Sequence, residues 1–368
     1  MRKKHFLFAS VLALLCGSST LHAQDFKLTS SGYFKNQGVD VMAFDDIYPE
    51  GHQGGVCIIM NGHRVATNGD IRLEATPGQW QPVPKQLDRK LGDNSITATL
   101  CYPDSSRHLT GFNPMIYPDL HLIYTVNVES KGKNIEVTVD LDRPIPQEFI
   151  GKVGFNLEFF PGSLFGKPWI MDGQSGIFPQ QPNSPLMTTQ PNYLHTGNYH
   201  DGKKSLADMD KLIGKGYSPI VADDIISEPY AKGTKFTSRP DDPYNKVTIE
   251  SLSGDLQLFD GRMNHNNGWF VLRSNIKPGV TKGAVKWIIT PNVVADWMYQ
   301  PVIQTSQIGY HPTQDKEAVI EMDIRDNRKE TAQIIRIDAD GEKVVKNVTP
   351  ANWGKFLRYN YLKVNFTD

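Results

Sequence analysis

Between residues 26 and 290, apolar and polar residues alternate in short runs: GVDVMAF, GVCIIM, DIRLEA, SITATLCY, DLHLIYTVNV, NIEVTVDLD, VGFNLEFF, KVTIESL, DLQLF, GWFVLRS and AVKWIIT. A period of two sets one side of each run against a core and the other toward water, the pattern of strands rather than helices. Asn61-Gly62, Lys131-Gly132 and Ser253-Gly254 each fall between two runs, where glycine supplies the positive φ of a tight hairpin. The pattern predicts an all-β chain, with a large antiparallel β-sandwich region over 24–300.

The alternation breaks between Pro161 and Pro243, a stretch rich in Gly, Pro, Asn and aromatic residues. Loops of that length are usually functional or covering elements. Its one helical pattern runs from Ser205 to Lys215, with Leu206, Met209, Leu212 and Ile213 on one face. Near Gln300 the chain passes through Pro291 and Pro301 into new β-runs: VIQTSQIGY, EAVIEMDI, AQIIRIDAD, EKVVKNV and FLRYNYLKVNFTD, with Asp340-Gly341 as a hairpin turn. Five strands fall short of the about seven of an immunoglobulin-like sandwich. Residues 301–368 therefore read as such a domain, incomplete at its C-terminal strands.

The stretch Ser306-Gln307-Ile308-Gly309-Tyr310-His311-Pro312, followed by Lys316-Glu317-Ala318-Val319, resembles the opening of the immunoglobulin-like domain that precedes the catalytic domain in many family-9 glycoside hydrolases. Val364 to Asp368 is similar to that domain's aspartate-ended segment. The first 300 residues are broadly similar to a β-sandwich region ahead of it in some exported bacterial members. The residues suit the role: Gly309 lets the chain bend, Tyr310 anchors it to a core, and Pro312 ends the ladder for want of an N–H. The resemblance implies a parent enzyme that cuts β-glucan with inversion, using two carboxylates roughly 6.5–9.5 Å apart on a helical barrel. No catalytic residue carries over. Asp338-Ala339-Asp340-Gly341 approaches the family's Asp-Ala-Gly-Asp base motif with its last two residues exchanged, but a hairpin turn accounts for both. Nor is it a calcium loop, since Val344 and Val345 stand where further oxygen ligands are needed.

Residues 1–23 have a basic start, an apolar run from Phe6 to Leu15 and the exit Leu21-His22-Ala23, the pattern of a cleaved secretory signal. Export, to periplasm or exterior, is the expectation. No later segment approaches the roughly 20 apolar residues of a membrane span. Removing Arg2, Lys3 and Lys4 leaves 36 basic against 40 acidic residues, a net charge of −4 with no basic cluster, which argues against a nucleic-acid partner. Cys57 and Cys101 each sit in an apolar strand-like run, where a disulfide or a buried thiol are both open readings.

The acid doublets Asp45-Asp46 with Glu50 and Asp223-Asp224 with Glu228 read as turns or caps, because neighbours in a strand face opposite ways. His52, His63, His195, His200 and His265 are too dispersed for a zinc site. No metal or cofactor is expected. Sugars stack on exposed aromatic rings, and Trp169, Tyr193 and Tyr199 are the candidate carbohydrate contacts, with Phe178, Trp269 and Trp297 as further aromatics. The expected whole is a non-catalytic portion of a β-glucan hydrolase that supports and positions a catalytic barrel. Two alternatives stand: a stand-alone carbohydrate-binding module, and a β-sandwich carbohydrate-active enzyme with its site in 24–300.

Overall fold

The computed structural model describes residues 25–45, 54–74, 77, 84–102, 120–182, 186–188, 225–263, 268–328 and 330–367. Every strand pair among them is antiparallel, and the only helical elements are three single 3-10 turns. The helix expected over 205–215 lies outside the described residues.

Two nine-stranded sheets make the sandwich. The first begins as a meander of Lys27–Leu28, Phe34–Asn36, Val39–Ala43, Val56–Met60 and His63–Leu73, and continues through Val153–Phe159, Phe270–Asn275, Leu256–Asp260 and Ala231–Gly233. The second has Val285–Pro291, Asn134–Leu141, Leu122–Lys131 and Ser95–Tyr102 at its centre. Strands such as Ser95–Tyr102 and Asn134–Leu141 alternate strictly between buried and half-buried positions, as one wetted face requires. Their apolar sides meet the first sheet in one core, where Trp287 stands edge-on to Phe155 at 5.0 Å and Phe236 edge-on to Phe159 at 5.8 Å. Val153–Phe159 differs, being buried at all seven positions, so its second face is covered too.

Asn61 and Gly62 both have positive φ, 52° and 88°, and close the hairpin between Val56–Met60 and His63–Leu73. Gly132 likewise turns Leu122–Lys131 into Asn134–Leu141. Ser253-Gly254 is not a hairpin turn. Val247–Ser251 belongs to the second sheet and Leu256–Asp260 to the first, so the loop carries the chain between layers, and Gly254 keeps an ordinary φ.

After Pro291 the chain leaves the sandwich and builds a four-stranded sheet in the order Val302–Gln304, Glu317–Asp323, Tyr359–Asn365, Ala351–Phe356, plus a separate ribbon of Ala332–Asp338 with Gly341–Val348. The ribbon's turn is Ala339-Asp340, with Asp338 opposite Gly341. The first run is shorter than its pattern: residues 305–316 are turns, and Gly309 adopts φ +80°. Tyr310 holds those turns down, its hydroxyl accepting from the Ser306 N–H and donating to the Glu317 carbonyl while its ring stands edge-on to Phe366 at 5.1 Å.

Cys57 and Cys101 are not joined. Cys57 is buried in the first sheet and Cys101 half-buried in the second, and neither forms a disulfide.

Candidate functional site

Three features bear on function. The first is a polar network at the middle of the first sheet. In DIRLEA the charged residues Asp70, Arg72 and Glu74 alternate with Ile71 and Leu73, and strand register sets Asp70 opposite Asn156 and Asn156 opposite Arg273. The Asn156 amide donates to Glu74 Oε1 at 2.5 Å, and Arg273 Nη1 lies 3.3 Å from the same oxygen and 3.0 Å from Asn156 Oδ1. Arg273 Nη2 donates to the Glu74 and Lys152 carbonyls, both at 3.0 Å, and Nε to Asn275 Oδ1 at 2.7 Å. A β-bulge shifts register between Asn156 and Glu158, and there the Asn68 amide donates to Glu158 Oε2 at 2.6 Å.

Burial pushes the Glu74 carboxyl up to about 7 against the pull of Arg273 and the Asn156 amide, with Glu158 adding to the rise. Burial likewise pushes Asp70 up to about 6, opposed by Arg72 and by hydrogen bonds from Tyr124 and the Ile71 N–H. Carboxyls that hold protons near neutrality suit acid–base chemistry. Yet Arg273 and Glu74 are only 1% and 2% exposed, and all five guanidinium N–H groups of Arg273 are directed at protein acceptors. The arrangement ties three strands together.

The second feature is a cleft of about 330 Å³ between the sandwich's first strands and the late sheet. One wall is the Lys35–Asp40 turn region; the other holds Trp297, Tyr299, Tyr359 and Arg358. Arg358 Nη1 donates to Asp40 Oδ2 at 2.7 Å, and the Trp297 carbonyl accepts from both Gln37 Nε2 and Arg325 Nη2 at 2.5 Å. Gly38 permits the approach, because a Cβ there would lie 2.7 Å from the Trp297 ring. Ring contacts run from Trp297 through Tyr299, Tyr359 and Tyr361 to Trp353, at centroid spacings of 6.2, 5.1, 6.0 and 5.9 Å, all edge-to-face except the tilted Tyr359–Tyr361 pair. The Tyr299 hydroxyl, pushed up to about 12 by burial and by its bond to Glu321, stays a donor at any physiological pH.

The third is apolar surface on the late sheets. Ile337 is 75% exposed, Phe356 66%, Ile303 61% and Trp353 58%. Ile335 and Val344, opposite one another on the ribbon, are exposed as well.

The aromatic candidates separate. Trp169 is buried with its ring packed on Gly176, where a Cβ would come within 2.5 Å, so it offers no face to a sugar. Tyr193 and Tyr199 lie outside the described residues. Phe178 is buried against Phe270, Trp269 stands edge-on to Phe160 at 4.2 Å, and of these four described aromatics only Trp297 lines the inter-module cleft. Of the acids, Asp45 and Glu228 are exposed, while Asp46, Glu50, Asp223 and Asp224 lie outside the described residues. His63 is exposed; His52, His195, His200 and His265 also fall outside. Among the described residues no cluster of three His, Cys, Asp or Glu is placed to hold a metal, and no helix is long and apolar enough to cross a membrane.

No family model and no curated protein matches this sequence. Among solved structures it is similar to the Slr1438 protein from Synechocystis sp. PCC 6803, with 10% identity and a TM-score of 0.29 over 79% of this chain and 100% of that one. Heparan sulfate lyase HepC from Pedobacter heparinus gives 10% identity and 0.26 over 88% of this chain and 42% of that one. At TM-scores this low the likenesses assign neither a fold family nor a chemistry to this chain.

Proposed function

We propose that this chain is the supporting, non-catalytic portion of an exported β-glucan hydrolase of family-9 type, whose late module carries and orients a catalytic barrel. The observation that carries the reading is the uncovered apolar surface of that module. Isolated exposed apolar residues are ordinary, but Ile303, Ile335, Ile337, Val344, Trp353 and Phe356 are concentrated in two small sheets. Such surface fits against another protein body better than against water. The anchoring of Tyr310 beside Gly309 supports the same reading, since it gives the resembling motif a structural task.

The test is to mix the full chain with a separately produced family-9 catalytic barrel and follow sedimentation and reducing-sugar release. Complex formation is expected, weakened at least tenfold by Ile337→Asp with Phe356→Asp, and no sugar is released by the chain alone. A second reading, an enzyme within 24–300, draws on the protonatable carboxyls Asp70 and Glu74. It predicts hydrolysis by the chain alone that disappears in Glu74→Gln, and that result would replace the first reading.

A further inference from the structure

The free end of the first sheet carries an arrangement the fold does not need. Lys27 stands directly opposite Lys35, and Lys35 directly opposite Asp40, so two ammonium groups and a carboxylate form one row across three strands. Like charges directly opposite one another destabilise a sheet. Asp40 relieves the pair only in part: it attracts Lys35, but its Oδ2 is taken by Arg358 at 2.7 Å, and Asp25 is the other acid beside the lysines on the cleft's rim. Asp323, across the cleft, is held by Arg325 at 2.8 Å. Among the described residues neither lysine side chain makes a hydrogen bond or ion pair, although Asp40 feels the Lys35 charge. Both lysines line the same cleft as Trp297, Tyr299 and Tyr359.

We infer that this cleft is a binding site for a small anionic saccharide, a sugar bearing a carboxylate such as a hexuronate unit. The volume of about 330 Å³ lies at the small end of ligand pockets, roughly 300–1,000 Å³, and suits a ring or two rather than a polymer. The carboxylate sits between Lys27 and Lys35, relieving their repulsion. The C–H face of the ring lies against the aromatic wall, whose members meet at 61° and 65° and so present facets rather than a parallel slot for a flat base. Asp40 accepts from sugar hydroxyls and would repel a dianionic phosphate, which favours a singly charged sugar over a nucleotide. The inference is independent of whether a barrel docks on the late module, since none of its residues belongs to the surface invoked for docking.

Isothermal titration of the full chain with D-glucuronate, a glucuronate-containing disaccharide, cellobiose, acetate and AMP tests it. The uronates are expected to bind saturably, at least tenfold more tightly than cellobiose or acetate, and to weaken as salt rises. Lys27→Gln with Lys35→Gln should lose at least tenfold in uronate affinity while melting close to the wild type, because relief of the Lys27–Lys35 repulsion offsets the lost attraction of Lys35 for Asp40. Trp297→Ala should weaken the disaccharide as well. Equal binding of cellobiose, tighter binding of AMP, unchanged affinity in the double variant, or no uronate binding by the folded chain would each overturn the assignment.

Discussion

Asp70 is wholly buried, and while its Oδ1 accepts from Tyr124 and the Ile71 N–H, its Oδ2 has only Arg72, at 3.7 Å, for company. Its folded pKa of about 6 is above that of the unfolded chain, so as pH rises from about 4 the unfolded state sheds its proton first. Stability from this group is therefore fully present below pH 4, falls between pH 4 and 6, and is level above. Asp70→Asn keeps an acceptor for Tyr124 and removes the titration. The melting temperature of the variant relative to the wild type should climb between pH 4 and 6, by on the order of 3 kcal/mol in stability, and calorimetry at four pH values reads it. A constant offset would show that Asp70 does not titrate there. Residues such as Asp70, Glu74 and Glu158 were hidden in sequence for one reason: their partners are Tyr124, Asn156, Arg273 and Asn68, at separations of 54, 82 and 90 positions or more. A charged residue alternating with apolar ones looks like a wetted face until the covering chain is placed.

At the scale of elements, turns that depend on local chemistry were legible. Asn61-Gly62 closes its hairpin with the φ values the residue types suggest, and Asp338 to Gly341 turns the ribbon rather than serving as a catalytic motif. Ser253-Gly254 has the same local look, but its flanking runs belong to different sheets, one paired with Val285–Pro291 and the other with Phe270–Asn275, so distant strands and not the turn place them. Gly38 shows the converse, a turn glycine with a tertiary duty. At φ +66°, and with Asn61 Oδ1 2.5 Å and the Trp297 ring 2.7 Å from where a Cβ would stand, Gly38→Ala should lose about 2 kcal/mol or more. Gly279→Ala, at φ +74° with open space around it, should lose only about 1 kcal/mol. Urea unfolding of both variants separates backbone strain from crowding; equal losses would remove Trp297 from the argument.

For the whole molecule, three described polar contacts join the sandwich, the Trp297 segment and the late module. Arg358 joins Asp40, and Gln37 and Arg325 share the Trp297 carbonyl. Burial raises the Asp40 carboxyl despite Arg358 and Lys35, so deleting the guanidinium strands a desolvated acid. Arg358→Ala should loosen the late module without melting the sandwich: protease cleavage between 291 and 302 should quicken several-fold, and small-angle scattering should show a larger radius. Unchanged cleavage would mean that the aromatic contacts suffice.

The sequence by itself determined that this is an all-β protein with antiparallel sheets, because alternation with a period of two and glycine turns are local properties that each strand carries alone. Only the tertiary structure decided that Val153–Phe159 is covered on both faces, that Trp169 is core while Trp297 faces a cleft, and that Cys57 and Cys101 lie in separate sheets. Those facts depend on which distant strand arrives alongside, and burial is a property of the neighbours rather than of the residue.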